Sequence, residues 1–256
     1  MKSPLVTIVV PVYNMSEFLE ETILSITSSH YQNLEIVVVD DGSQDDSLEV
    51  AKRCAQGDSR IKVLSQPNSG VCVARNNAVA HAHGEYVLPV DSDDLIAPEF
   101  VEEAVRVMEC NPEVKVVSPT VMRFGKKSGI LELPAFSLSK LAVHNSLVAS
   151  SMYRRADFDR VHGYCVDIQG REDWEFWISL LKDGGEVVRL PAVGLYYRIR
   201  PNSKRVQDRE RIRQIVDTLN RRHPEFFQHY LGGPLHYRKS WSKAINRVRR
   251  IGRKLF

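Results

Sequence analysis

The chain has 256 residues, 43% hydrophobic and 26% charged, enough apolar material for one sizeable α/β domain with a core that needs no disulfide staples. Its 35 Lys and Arg stand against 32 Asp and Glu, and its four cysteines are spaced too widely for a C-x-x-C metal or redox pattern, so reduced thiols are expected. No uncharged apolar run approaches the ~20 residues that span a bilayer, and the first residues lack a signal-peptide layout, so a cytoplasmic protein is expected.

Strand and helix signals alternate through the first hundred residues. The β-branched run Leu5–Val10 is of the kind buried on both faces of a parallel sheet, and Asn14 or Ser16 can cap a following helix carrying Phe18, Leu19, Ile23 and Ile26 on one side. A second strand, Leu34–Val39, stops at Asp40-Asp41-Gly42-Ser43 and is followed by a helix with Leu48, Ala51 and Ala55. A third, Ile61–Leu64, precedes the turn Pro67–Gly70 and a helix over 71–83, with Gly84 as its stop. The fourth, Tyr86–Val90, runs into Asp91-Ser92-Asp93-Asp94, and Pro98 opens a helix with Val101, Ala104, Val105 and Met108 on one face. Repeated strand–helix–strand units predict right-handed crossovers and a Rossmann-like, doubly wound, mostly parallel sheet. Beyond residue 100 the strand signals are shorter, at 114–118, 151–154, 186–190 and 195–198. The clearest helix there starts near Asp173, with Trp174, Trp177, Ile178 and Leu181 inward. Residues 1–205 read as one domain, with a first half to about 95 and a second half from about 96, and 206–256 as a helical basic extension.

Open parallel sheets bind ligands beyond the carboxyl ends of their strands. Three polar clusters fall there: Tyr13-Asn14, Asp40-Asp41 and Asp91–Asp94. Crowded carboxylates at a strand tip need a cation or donor nearby, and hard oxygen ligands favour Mg²⁺ or Mn²⁺ bridging protein and diphosphate. The pattern calls for a nucleotide diphosphate with a divalent metal. A lone Asp-x-Asp is mostly a solvated turn, and Asp-Asp-Gly-Ser alone is equally turn chemistry. Both lying directly after buried-type strands in one alternating unit is what separates them from that reading.

Val6-Thr-Ile-Val-Val-Pro-Val-Tyr-Asn14, Ile36-Val-Val-Val-Asp-Asp-Gly-Ser43, Ala74-Arg75-Asn76, Gly84-Glu85-Tyr86, Asp91–Asp94, Glu172-Asp173-Trp174 and Tyr197-Arg198 with Ser203 occur in that order. In these motifs the chain resembles the inverting GT-A glycosyltransferases of family 2, over residues 5 to 203. The resemblance implies that Pro11 and Tyr13 line the base pocket beside Asn14, and that Asp41 accepts from a pyrimidine imide while Asp40 supports the loop. It puts Arg75 and Ser92 near the nucleotide, Asp91 toward the ribose or donor sugar, and Asp93 as the direct metal ligand with Asp91 beside it. Asp173 becomes the general base, Glu172 its neighbour, and Trp174, His144 and Asn145 the acceptor region. A metal on the diphosphate offsets the leaving group's charge, and a carboxylate takes the acceptor proton, together giving in-line displacement with inversion. For Asp173, a simple helix N-cap is the bland alternative.

The family's Gly-Gly-Phe-Asp-Glu is replaced here by His162–Asp167, which alters the acceptor loop, and no Gln-x-x-Arg-Trp follows Asp173. One sugar per encounter is therefore expected, from a UDP-sugar before dTDP or GDP, onto a saccharide or lipid-linked saccharide in cell-surface glycan synthesis. A silent sugar-nucleotide-binding protein remains as the alternative. A nucleotidyltransferase would want a Gly-rich basic loop where Pro11–Asn14 stands, and a phospho-receiver carries its acidic pair after the first strand.

The C-terminal tail concentrates charge: Arg238, Lys239, Lys243, Arg247, Arg249, Arg250, Arg253 and Lys254, with no acid between them. Trp241, Ile245, Val248, Ile251 or Gly252, and Leu255 share one helical face. A basic amphipathic helix over 236–256 suits the inner face of the plasma membrane, or equally packing on protein. A second helix over 205–222 turns Ile212, Val216 and Leu219 inward. No nucleic-acid reader motif accompanies these cations, so nucleic acid is not an expected partner.

Overall fold

The computed structural model describes residues 3–168, 170–200, 208–238 and 241–252. In chain order the elements are β1 (Val6–Val12), α1 (Leu19–Thr27), β2 (Leu34–Asp40), α2 (Ser47–Gly57), β3 (Ile61–Ser65), α3 (Val71–Ala80), β4 (Tyr86–Pro89), β5 (Leu95–Ile96), α4 (Phe100–Cys110), β6 (Val114–Gly125) and β7 (Gly129–Ile130). There follow α5 (Leu138–Leu141), β8 (Met152–Arg154), α6 (Arg155–Val161), α7 (Glu172–Leu181), β9 (Glu186–Ile199), α8 (Asp208–Arg222), α9 (Pro224–Leu231) and α10 (Ser242–Gly252). They group into two compact units: Met1–Glu132, Val148–Tyr164 and Gly185–Pro201 form the first, and Leu133–Leu147, Cys165–Gly184 and Asn202–Phe256 the second. Two stretches from within the expected 1–205 domain thus group with the C-terminal segment.

The first unit is built on one sheet with the order β3-β2-β1-β4-β8-β6-β9-β5, β7 pairing with β6. From β3 to β4 every pairing is parallel, as the apolar runs predict: all of β1 is buried. Beyond β4 the sheet is mixed, since β8 runs antiparallel to both β4 and β6, while β6 and β9 are parallel. Because β1 has β2 on one side and β4 on the other, the strand order reverses there, the switch point at which such sheets place ligands. Buried residues of β1, β2 and β4, with Leu19, Ile23, Val101, Ala104 and Met108 from the helices, form the core.

Several local expectations change. The two short strands over 186–198 are one strand, because register shifts opposite Ser118 and Thr120 absorb Pro191, and Thr120 Oγ1 donates to the Leu190 carbonyl at 2.7 Å across the irregularity. Helix α3 ends at Ala80, so Gly84 is not its stop. A Cβ at Gly84 would lie 2.5 Å from both Thr7 N and Thr7 Oγ1, so this glycine is where the chain passes β1 too closely for any side chain. Neither Asn14 nor Ser16 caps α1, whose N-cap is Phe18; both reach instead to the loop after β2. The helices α6 and α9 carried no strong sequence signal.

In the second unit α7 is buried from Trp174 through Leu181, so it is apolar nearly all round rather than on one stripe. Trp174 Nε1 donates to the Leu141 carbonyl at 2.7 Å, fastening α7 to α5. Phe226, Phe227, Leu231 and Leu235 supply further buried apolar residues from α9 and the segment after it.

Candidate active site

In the first unit the predicted donor-side residues gather at the carboxyl ends of β1, β2 and β4. Strand β2 ends at Asp40, opposite Val12 of β1, and Asp41 N–H donates to the Val12 carbonyl at 2.8 Å. The Asp41 carboxylate is buried and already engaged: Oδ1 accepts from Gln66 Nε2 and Ser69 N–H, and Oδ2 from Gly70 N–H, each at 2.8 Å. The Asp40 carboxylate, equally buried, accepts at 3.4 Å from Ser43 N–H and Ser65 Oγ. The shorter loop-supporting bonds thus fall on Asp41 and the longer ones on Asp40, and Asp41 keeps part of its accepting capacity. Gly42 closes this corner at φ +73°, where a Cβ would meet Asn68 N at 2.7 Å. Asn14, at φ +53°, accepts from Gln44 N–H, and the exposed Tyr13 follows the buried Pro11 and Val12 of β1.

Arg75, on α3, is 2% exposed, yet its guanidinium donates to Asp91 Oδ1 at 2.8 Å and lies over the Tyr164 ring at 5.3 Å. A buried cation needs such a partner. This pair brings two predicted nucleotide-side residues, from a helix and from the loop after β4, into direct contact. Ser92 between them and Asp93 is buried.

Two of the three aspartates after β4 are disturbed by burial and by their neighbours. Burial first, then the charge of Asp91, push the Asp93 carboxyl above the ordinary value, with Arg200 opposing. Burial, then Asp91 and Asp93, hold Asp94 well above it. Buried oxygen ligands crowded with like charge are the environment a divalent cation relieves, so the residues fit Mg²⁺ or Mn²⁺. Among the described residues no three His, Cys, Asp or Glu side chains form a ready-made metal cage.

Two arginines near the end of β9 also reach this loop, and the sequence reading gave them no role at the carboxylates. Arg198 Nε donates to the Asp93 carbonyl and its backbone N–H to Asp94 Oδ1, both at 2.8 Å, and Arg200 Nε lies 2.6 Å from Asp93 Oδ2. Their i, i+2 spacing on a strand, which sets both on one face, was the available signal. Ser203 of the expected closing segment lies outside the described residues.

In the second unit Glu172 and Asp173 occupy the first turn of α7, after Arg171 at φ +54°. The N-cap is therefore Arg171, not Asp173, and it makes no side-chain cap bond. Asn145 Nδ2 donates to Asp173 Oδ2 at 2.7 Å, so one residue expected in the acceptor region does touch the expected base. His144 is half-buried in the turn after α5, its N–H on the Lys140 carbonyl. Trp174, the third residue of the expected acceptor region, is fully buried, inward as its helix pattern predicts, with its indole N–H committed to Leu141.

Comparison with known proteins decides the family. The family model described as Glycosyl transferase family 2 matches residues 7–173. The chain belongs to that family. An uncharacterized glycosyltransferase of Bacillus subtilis, EpsJ, is 32% identical over 220 residues, covering 78% of this chain and 62% of the relative. The chain thus spans less than two thirds of that relative's length. Among solved structures, residues 1–349 of S. aureus TarS in complex with UDP-GlcNAc align with a TM-score of 0.71 at 22% identity, over 89% of this chain and 73% of that one. The mannosyltransferase PcManGT of Pyrobaculum calidifontis, in complex with GDP-Man and Mn²⁺, aligns with a TM-score of 0.71 at 22% identity, over 91% and 69%. At that identity the likeness shows the fold, the GT-A arrangement expected from the motifs.

Proposed function

We propose that this family 2 chain transfers a single sugar per encounter from a UDP-sugar to an acceptor hydroxyl, with inversion, in the synthesis of a cell-surface polysaccharide or lipid-linked glycan. The observation that carries this reading is the Arg75–Asp91 pair after β4, next to the switch point of the parallel strands, with Asp93 close enough to feel the charge of Asp91. TarS bound to UDP-GlcNAc and PcManGT bound to GDP-Man and Mn²⁺ support a nucleotide-sugar donor and a divalent ion.

Asp93, with Asp91, would hold the Mn²⁺ or Mg²⁺, which when bound supplies Lewis-acid stabilisation of the diphosphate leaving group. Asp41 and the loop it holds, with Pro11, Tyr13 and Asn14, bind the base. Arg75 and Ser92 serve the nucleotide, Arg75 by keeping Asp91 oriented. Asp173 takes the proton of the acceptor hydroxyl, with Glu172 and Asn145 orienting it and His144 in the acceptor region.

The C-terminal helix adds a partner, the anionic inner face of the plasma membrane. Ser242 and Asn246 of α10 are buried, while Trp241 and Val248 are 59% and 69% exposed beside the exposed Lys243 and Arg247. Ile245 is half-buried, and the side chains of Ile251 and Leu255 lie outside the described residues. Exposed Trp with flanking cations suits a lipid interface. No helix among the described residues is long and apolar enough to cross a membrane.

A thermal-shift panel of UDP-, dTDP- and GDP-sugars, with and without Mn²⁺, tests the donor reading. A rise in Tm with UDP-sugar and Mn²⁺ together is expected; no shift with any nucleotide sugar would overturn it.

A further inference from the structure

The two arginines at the end of β9 differ in how firmly they are held. Arg198 is fixed: its guanidinium carbon lies 4.8 Å from the Phe18 ring centroid and 4.3 Å from that of Phe124, and its Nε binds the Asp93 carbonyl. With its backbone N–H on Asp94, it anchors the aspartate loop from the β9 side. Arg200 instead places its guanidinium on the Asp93 carboxylate itself, 2.6 Å away, and only partly over Phe18, at 5.4 Å.

Each carboxylate of the Asp-x-Asp therefore already has a guanidinium counter-ion, Arg75 on Asp91 and Arg200 on Asp93. Within this set of four groups the charge is balanced. Asp94 and Arg198 beside them add one charge of each sign, so adding a divalent cation alone still leaves two surplus positive charges in a partly buried place, where they are poorly screened. A nucleotide diphosphate carries the negative charge that removes that surplus. Of the two arginines, Arg75 is 2% exposed and wedged against Tyr164, whereas Arg200 is 27% exposed at a strand end. Arg200 is the one that can leave its carboxylate, while Arg198 keeps the loop in place.

We infer that Arg200 is a built-in counter-ion that occupies Asp93 until metal and diphosphate arrive together, so that the two bind in a coupled way and the metal alone binds weakly. This rests on the metal and nucleotide roles proposed above. It predicts a reciprocal linkage, in which each ligand raises the affinity for the other by the same factor.

Mn²⁺ titrations of the full chain, followed by the electron paramagnetic resonance signal of the free ion, test it with and without saturating UDP. For the wild type we expect Mn²⁺ to bind roughly tenfold or more tightly with UDP present. Arg200→Ala should bind Mn²⁺ alone about 5- to 50-fold more tightly than the wild type, and the gain from UDP should shrink accordingly. Arg200→Lys, which keeps the charge, should retain most of the wild-type coupling and serves as the comparison should the alanine variant fold poorly. Equal Mn²⁺ affinity of wild type and Arg200→Ala without UDP, both binding with UDP, overturns the counter-ion role alone. No Mn²⁺ binding by either protein in any condition overturns the metal assignment beneath it, and the inference with it.

Discussion

Asn145 and Asp173 form a directed pair: Asn145 Nδ2 donates to Asp173 Oδ2 at 2.7 Å, while Asn145 Oδ1 accepts the Leu147 N–H at 3.1 Å. Both ends of the amide are used, so its orientation is determined, and with it that of the carboxylate, whose Oδ1 also accepts the Trp174 N–H at 2.9 Å. In the proposed role of general base, a carboxylate held in this way is pre-oriented for a proton.

From that pair we expect Asp173→Asn to lose transfer by about 10²- to 10⁴-fold while binding UDP-sugar and Mn²⁺ as the wild type does. Asn145→Ala should lower kcat by a smaller factor and leave the donor KM unchanged. Steady-state kinetics with calorimetric donor titration would check both. Full transfer by Asp173→Asn would remove its assignment as base.

The close pass at Gly84 gives a prediction about stability. A methyl group there would stand 2.5 Å from the backbone N of Thr7 and 2.9 Å from the Leu5 carbonyl, atoms of the edge of β1 that cannot swing aside. Gly84→Ala should therefore cost about 1–3 kcal/mol, a fall in Tm of a few to about ten degrees by calorimetry. An unchanged Tm would mean that β1 yields more easily than its fully buried register with β2 and β4 suggests.

What could be read in advance was whatever is local. Runs such as Ile36–Val39 announce a strand buried on both faces, and Asp-Asp-Gly-Ser after it announces a corner, because neighbours in sequence decide both. The pairings that make the site were not legible. Arg75 meets Asp91 across 16 positions, and the Arg198 Nε bond to the Asp93 carbonyl spans 105. Periodicity says nothing about which cation crosses a sheet edge to which carboxylate. Trp174 shows the same limit: its inward position is legible from the helix pattern, but not the Leu141 carbonyl that its indole N–H finds 33 positions away. The division of β9 into two strands failed because Pro191 and Gly194 look like breakers, and only the partner β6 reveals a bulge that accommodates them.

The α10 face leads to a third prediction. Deleting residues 236–256 should lower binding to vesicles containing anionic lipid, and Trp241→Ala with Lys243→Glu should do so with the helix kept. Because each basic residue near an anionic surface contributes on the order of 1 kcal/mol, the loss should grow as ionic strength falls. Sedimentation with vesicles at two salt concentrations measures it, and equal binding by the deleted and intact chains would refute the membrane role.

Glu175, two residues after the proposed base, is fully buried, and its Oε1 accepts from Arg222 Nε at 2.8 Å and from His223 Nε2 and Ser179 Oγ at 2.9 Å. Burial alone would raise its pKa, but the hydrogen bonds from His223 and Arg222 outweigh it and the carboxyl stays below the ordinary 4.5. A carboxyl depressed in the folded state binds its proton less readily than in the unfolded chain. Its contribution to stability is therefore complete above about pH 4.5 and is lost as pH falls through the lowered value. Glu175→Ala, which leaves Arg222 and His223 facing a void, should destabilise the chain by about 3–5 kcal/mol at neutral pH. In urea unfolding followed from pH 7 to pH 3, the difference between wild type and variant should be flat down to the ordinary carboxylate range and shrink below it. A difference that failed to shrink below the ordinary carboxylate range would mean that the buried carboxyl is not held below it.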